Sequence, residues 1–517
     1  MAARPLFTVV TPVYDPPLDV LAEMIESVLA QTEPDLELVL VDDHSTRDEV
    51  RDLLRRSAER DGRVRVIERA QGGGIVAASN DAVEAARGEF LVLVDHDDLL
   101  TPEALAVVRA AAEEHPEADY LYSDEDKLGP DGRFYDLDRK PDWSPERLRG
   151  HMYTGHLSVM RTSVVREVGA FRPGYDGSQD HDLALRVSEV ARLVHHIPRV
   201  LYHWRVVPGS AAGDAGAKPY AWDAGVRAVQ DHLDRRGIAA VADKGWLPST
   251  YRVRRRLDPE LPVSVVLATE GGTGRVWGQD RVFVLEAVRS LLAHAGHPSV
   301  EVLVVHGPGT PAPVLAALAA TGDGRVRVLP APEGASRAAA VNHGALLATG
   351  QVLVLLDEHT EARHPGLLTE LVAPLDDEDV AAVGARVLGT DGRLRHAGWV
   401  HADGTLMPFA EGRRPEEHGP FAALQVAREV SGLDGGVLAL RRSGFLAAGG
   451  LNEGVLGPLA ELDLSLKLRA AGGRLLWQPE ARVYRVDPRP RITPDQRAAL
   501  DRRWARTTDD PYLPGAR

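Results

Sequence analysis

Asp95, Asp97 and Asp98 stand together in Val94-Asp95-His96-Asp97-Asp98, directly after the apolar run Phe90-Leu91-Val92-Leu93. Three carboxylates at the C-terminal mouth of a buried strand repel one another unless a cation offsets their charge, so the pattern points to a divalent-metal site. The competing reading is an acidic turn capping a helix that starts near Thr101-Pro102, because aspartate is common at N-caps and in first turns. Asp15, Asp42 and Asp43 each close another apolar run, and this favours a functional rim. On such a rim an unpaired aspartate can accept hydrogen bonds from a nucleobase or ribose, while a pair can hold a metal on a diphosphate.

The elements that must position these acids are legible. Phe7 to Asp15 opens with an apolar strand that stops at Pro12, Leu21, Met24, Ile25, Val28 and Leu29 recur at helical spacing, and Leu36 to Val41 reads as a second strand. Strands alternating with helices predict parallel βαβ units, and open α/β sheets bind ligands beyond the carboxyl ends of their strands. No Gly-x-Gly-x-x-Gly or Gly-x-x-x-x-Gly-Lys-Ser/Thr follows the first strand, so dinucleotide and P-loop chemistry are unsupported. Gln71-Gly72-Gly73-Gly74 reads as a flexible connection, since no strand leads directly into it.

Thr11-Pro12-Val13-Tyr14, Val41-Asp42-Asp43-His44-Ser45-Thr46, Ala78-Ser79-Asn80, Gly88-Glu89-Phe90 and Asp95-His96-Asp97-Asp98 fall in the order seen in family 2 glycosyltransferases of GT-A fold, which the chain resembles. Tyr122 to Lys127, Lys140-Pro141-Asp142-Trp143-Ser144, Gly177 to Asp182 and Val200 to Arg205 are similar to the O-antigen or rhamnosyl-type subgroup. The resemblance implies a donor nucleotide held around Pro12, Tyr14, Asp15, Asp42, Asp43, Asn80 and Asp95. It implies Mn²⁺ or Mg²⁺ on Asp95 and Asp97, with His203 as a third ligand, and Asp180 as the base of an inverting transfer. Asp124, Glu125, Trp143, Asp182 and Trp204 are the expected acceptor contacts. Asp180 and Asp182 open an amphipathic helix, so a purely structural, dipole-stabilising role stays open for both, and a packed, hydrogen-bonded role stays open for His203. The donor would be a nucleotide-diphosphate sugar and the acceptor a glycan or lipid-linked glycan in cell-surface polysaccharide synthesis.

The second half repeats the first. Glu286 to Ala293 echoes Glu23 to Ala30, Asn342 echoes Asn80, Gln351 to Asp357 echoes Glu89 to Asp95, and Asp463 to Leu468 echoes Asp182 to Val187. Through this register Asp42 becomes His306, Asp43 Gly307, Asp97 His359, Asp98 Thr360, Asp180 Glu461 and His203 Arg485. His396 to Val400 and Ser431 to Gly436 still resemble motifs of tandem relatives. Two tandem α/β GT-A domains are therefore expected, Rossmann-like with mainly parallel sheets, the second degenerate and serving acceptor binding or scaffolding. The expected boundaries are 1–207, a connector at 208–260 packed on the first domain, 261–487, and a C-terminal helix and tail at 488–517.

A chain of 517 residues, 44% hydrophobic and 26% charged, fits two or three ordinary globular domains. Its lack of cysteine excludes disulfides and cysteine-based zinc sites. A net charge of −16 disfavours nucleic acid and anionic membranes as bulk partners, although Arg252 to Arg256 and Arg485 to Arg491 could touch lipid phosphates. No apolar run nears the roughly 20 residues of a membrane span, and no signal peptide is read at the start. Addition of one or a few sugars is expected, at a cytoplasmic site or the inner face of the membrane. Two other classes compete. A sugar-phosphate nucleotidyltransferase would need a Gly-rich, Arg-containing loop after the first strand, which Thr11 to Pro17 lacks. A non-catalytic glycan-binding or assembly protein predicts erosion in both copies; a bifunctional transferase with both domains active is the alternative within the transferase class.

Overall fold

The computed structural model describes residues 4–206, 219–321, 324–402, 404–486, 492–504 and 510–512. The chain divides into two compact units, Met1–Gly237 with Ala242–Val253, and Arg254–Ala516 with Ile238–Val241. The segment expected as a connector is thus shared between them. The expected tail falls mostly on 505–509 and 513–517, outside the described residues.

In the first unit the strands are β1 (Phe7–Val13), β2 (Leu36–Asp42), β3 (Val64–Glu68), β4 (Phe90–Leu93), β5 (Leu99–Leu100), β6 (Ala118–Leu128), β7 (Phe134–Asp138), β8 (Ser158–Arg161) and β9 (Leu193–Arg205). Their order is β3-β2-β1-β4-β8-β6-β9-β5, with β7 on β6. The half from β3 to β4 is parallel, and the antiparallel β8 makes the sheet mixed. β1 and β2 are buried almost throughout because helices cover both sheet faces, which is why both read as unbroken apolar runs. Helix α1 (Leu18–Leu29) buries Leu21, Met24, Ile25 and Val28 as one stripe against this sheet.

The second unit repeats the design. Val263–Thr269, Val300–His306, Val326–Pro330 and Val352–Leu356 form its parallel half, with Val437–Arg441 antiparallel beside the last of them. A polar cluster below each sheet marks the common descent. Glu37, 2% exposed, accepts from Thr8 Oγ1 at 2.7 Å, Arg87 N at 2.7 Å and Arg65 Nη1 at 3.2 Å. Glu301 accepts from Ser264 Oγ at 2.6 Å, Thr349 N at 2.7 Å and Arg327 Nη1 at 3.0 Å. Gly88 and Gly350 lie so near the first strand of their sheets that a Cβ would come within 2.5 and 2.6 Å of Thr8 N and Ser264 N, so glycine is required at both. A buried carboxylate without its donors is costly, and this cluster was kept in both copies while the rims diverged.

The strand ladders correct one part of the repeat register. Leu99 pairs with His203 and Asp126 with His203, whereas Glu361 pairs with Tyr484 and Leu388 with Tyr484. Tyr484 therefore takes the place of His203, and Arg485 that of Trp204.

Candidate active site and its degenerate copy

The acids of the first rim divide into those that shape it and those that face its ligand. Asp15, at φ +45°, accepts from Thr46 N at 3.0 Å, Thr46 Oγ1 at 2.7 Å and Arg47 N at 3.2 Å. Burial pushes its carboxyl up, but these bonds outweigh that and hold it below the usual range. Asp42 accepts from Ser45 N at 3.2 Å. Asp43 accepts from Arg69 Nη1 at 2.6 Å, Gly73 N at 2.8 Å and Gly74 N at 2.7 Å. The glycine segment expected to be a flexible connection is thus an ordered turn leading from β3 into helix α3 (Gly74–Ala85), pinned by Asp43. Tyr14 is 56% exposed, and the Pro12 carbonyl accepts from His96 Nδ1 at 3.2 Å.

Beyond β4, the ligating atoms of Asp95, Asp98 and His156 lie within 4.8 Å of one another, the one such group among the described residues. Asp98 is 1% exposed and accepts from Tyr202 Oη at 2.5 Å and Arg205 N at 2.7 Å, so it ties β9 to the rim from behind. The Asp97 carboxyl is pushed up by burial and then by the charge of Asp95. That is the electrostatic state of an acid pair whose repulsion a cation would relieve, and the acids here fit a divalent ion. His156 stacks on Tyr202 with ring centroids 4.7 Å apart and lies 5.2 Å from the Trp204 ring. Burial would lower its pKa, but Glu125, then Asp95 and Asp98, raise it to about 9. Nothing in the sequence marked His156, because its partners converge from β4, β6 and β9.

The remaining expected residues are placed as follows. His203 Nδ1 is held by Asp126 at 2.5 Å and its ring stacks on Phe134 at 4.1 Å, outside the group around Asp95. Glu125 binds the fully buried Lys140 at 2.8 Å and His156 N at 2.9 Å. Asp124 accepts from Lys140 N and His196 Nε2, each at 2.8 Å. Trp143 is half-buried just before helix α5 (Pro145–Gly150). The Asn80 amide is committed at both ends to Phe171, accepting from its N–H and donating to its carbonyl, each at 2.9 Å. Asn342 repeats this bracing on Leu451 at 2.9 and 3.0 Å.

Helix α7 (Gln179–Val190) presents Asp180 and Asp182 in its first turn with opposite fates. Asp180 is open to solvent and accepts from Gln179 Nε2 at 3.0 Å. Surrounding protein, then the charge of Asp95, pushes it up to about 6. Asp182 is wholly buried, bridging Arg186 at 2.7 Å and Arg172. The helix Pro219–Arg235 supports this start, since Ser178 Oγ donates to Ala221 O at 2.6 Å. Asp182→Ala leaves two guanidiniums facing each other and is expected to cost about 3–5 kcal/mol of stability. An unchanged denaturation midpoint would refute this bracing role.

On the second rim the cations are built in. Asp357 accepts from His359 N and Nδ1 at 2.9 Å and faces Arg337 at 3.4 Å and Arg485 at 3.5 Å, which hold it well below the usual carboxylate range against burial. Arg337 also binds Glu461 at 2.6 Å, in the helix position that Asp180 has in the first copy.

Two mixed α/β domains in tandem, the first with acids crowded at the carboxyl ends of its parallel strands, define the class of protein. The family described as "Glycosyl transferase family 2" matches residues 8–169, and that described as "Glycosyltransferase like family 2" matches residues 276–507. The chain belongs to the family 2 glycosyltransferases, with two of their domains in tandem. An uncharacterized protein, y4gI, of Sinorhizobium fredii is 39% identical over 97% of this chain and 56% of its own length. The O-antigen biosynthesis protein RfbC of Myxococcus xanthus is 34% identical over 99% of this chain and 40% of its own. The chain thus spans about half the length of these relatives. No described helix is long and apolar enough to cross a membrane.

Proposed function

We propose that the first domain transfers a sugar from a nucleotide-diphosphate donor to a glycan or lipid-linked glycan acceptor, with inversion, in cell-surface polysaccharide synthesis. The observation that supports this most is the gathering of Asp95, Asp98 and His156 within 4.8 Å at the carboxyl ends of the parallel strands of a family 2 domain. A nucleoside diphosphate lying over Asp42 and Asp43 would bring its phosphates to Asp95 and Asp97. Those two acids would hold Mn²⁺ or Mg²⁺, beside Asp98 and His156, whose ligating atoms lie within 4.8 Å of those of Asp95. The ion, when bound, neutralises charge on the departing diphosphate. Asp180 takes the proton of the acceptor hydroxyl as that oxygen bonds to the anomeric carbon and the bond to the diphosphate breaks on the opposite face. Rhamnose as the sugar, and a cytoplasmic place of work at the inner membrane face, belong to the same proposal.

The pH dependence follows from the sign of the Asp180 shift. A base must be unprotonated, and its carboxyl is raised to about 6, so kcat/KM is expected to fall as pH drops through that value. Because part of the rise comes from Asp95, saturating Mn²⁺ should move this limb to lower pH. A profile flat from about pH 5 to about pH 7, one unit either side of that value, would rule out Asp180 as the base.

A further inference from the structure

We propose that the cleft of the second domain is a metal-independent binding site for a neutral saccharide. A cavity of about 380 Å³ opens at the carboxyl ends of the second sheet, lined among others by Arg337, Trp399, Asp434, Asn452, Glu461 and Arg485. It falls within the roughly 300–1,000 Å³ of small-molecule pockets.

Three observations select the ligand. First, none of the lining residues comes from the ends of the first two strands, Thr269 and His306, where a nucleoside would lie in such a sheet. There the Glu270 carboxylate sits against Gly307, so close that a Cβ on that glycine would meet it at 1.9 Å. The Glu270 side chain thus occupies space beside the end of the second strand, and the cavity lies at the end toward Glu461. Second, Asp357 already has His359, Arg337 and Arg485 as partners, and no group of metal-ligating side chains gathers here among the described residues. Two guanidiniums stand where a metal would offset the acid. Third, carboxylates outnumber guanidiniums in the lining, so a diphosphate lacking its metal would be repelled.

The lining instead holds acceptors paired with donors. Asp434 is braced by Trp399 Nε1 at 3.2 Å and His396 Nε2 at 2.7 Å, and Glu461 by Arg337 at 2.6 Å. A hydroxyl both donates and accepts, so a polyol can bridge such pairs where an ion or an apolar ligand cannot. Groups already held in place lose little entropy when the ligand arrives.

The test is a glycan array of neutral rhamnose-, mannose- and galactose-containing oligosaccharides, probed with the full chain in EDTA. Retention is expected for the parent, and a loss of about tenfold or more for Gly454→Trp, which narrows the mouth, and for Glu461→Gln, which removes an acceptor charge. Gly454 is exposed, and a Cβ there meets only Asn452 Oδ1 at 3.2 Å, so this variant should melt with the parent. Retention on no glycan, or retention unchanged by both substitutions, would overturn the proposal. Calorimetric binding of UDP, GDP or dTDP in EDTA that Glu461→Gln abolishes would overturn it in favour of a nucleotide site.

Discussion

Replacing Asp180 by asparagine is expected to lower the transfer rate by about 10²- to 10⁴-fold while donor affinity stays near that of the parent. Asparagine keeps the size and the contact with Gln179 but cannot take a proton. The position favours a base, since Asp180 reaches solvent while Asp182, two residues on and on the opposite face of the helix, is buried between arginines. Single-turnover transfer, with donor binding measured by calorimetry, separates chemistry from affinity. Parent-like turnover would make Asp180 a first-turn acid stabilised by the helix dipole, with Glu125 the next acid to test. Glu125 is the weaker candidate, because Lys140 holds its carboxyl down at about 2 despite burial, too low for a good base near neutrality.

Removal of the divalent ion is expected to abolish transfer. A Lewis-acid ion on a departing diphosphate is worth several kcal/mol, and at 1.36 kcal/mol per tenfold the loss is on the order of 10³-fold or more. Asp97→Ala should lose metal-dependent donor binding and keep the fold, because no described ladder or buried bond depends on its carboxylate. Asp98→Ala should instead cost stability, since Tyr202 and Arg205 N would lose their acceptor. Donor titration in Mn²⁺ should give a stoichiometry near one site per chain, unchanged in Asp357→Ala. Full activity in EDTA would sink the metal assignment, and a stoichiometry near two would make the second domain a working transferase.

The sequence by itself determined the architecture and the rim. Apolar runs closing in Asp42 and Asp95 identify buried parallel strands and the end at which a ligand binds, because chain direction and burial are both written in the pattern. The repeat of Asn80 at Asn342 and of Asp182 at Asp463 announced the second domain, and both pairs prove to be fold-holding side chains. Only tertiary structure decided what each acid does. Asp97 and Asp98 are neighbours in sequence, yet it is the Asp98 carboxylate that gathers with Asp95 and His156, buried under Tyr202, because successive side chains leave the backbone in different directions. His156 joins the acids through strands distant in sequence, a relation that no local period encodes.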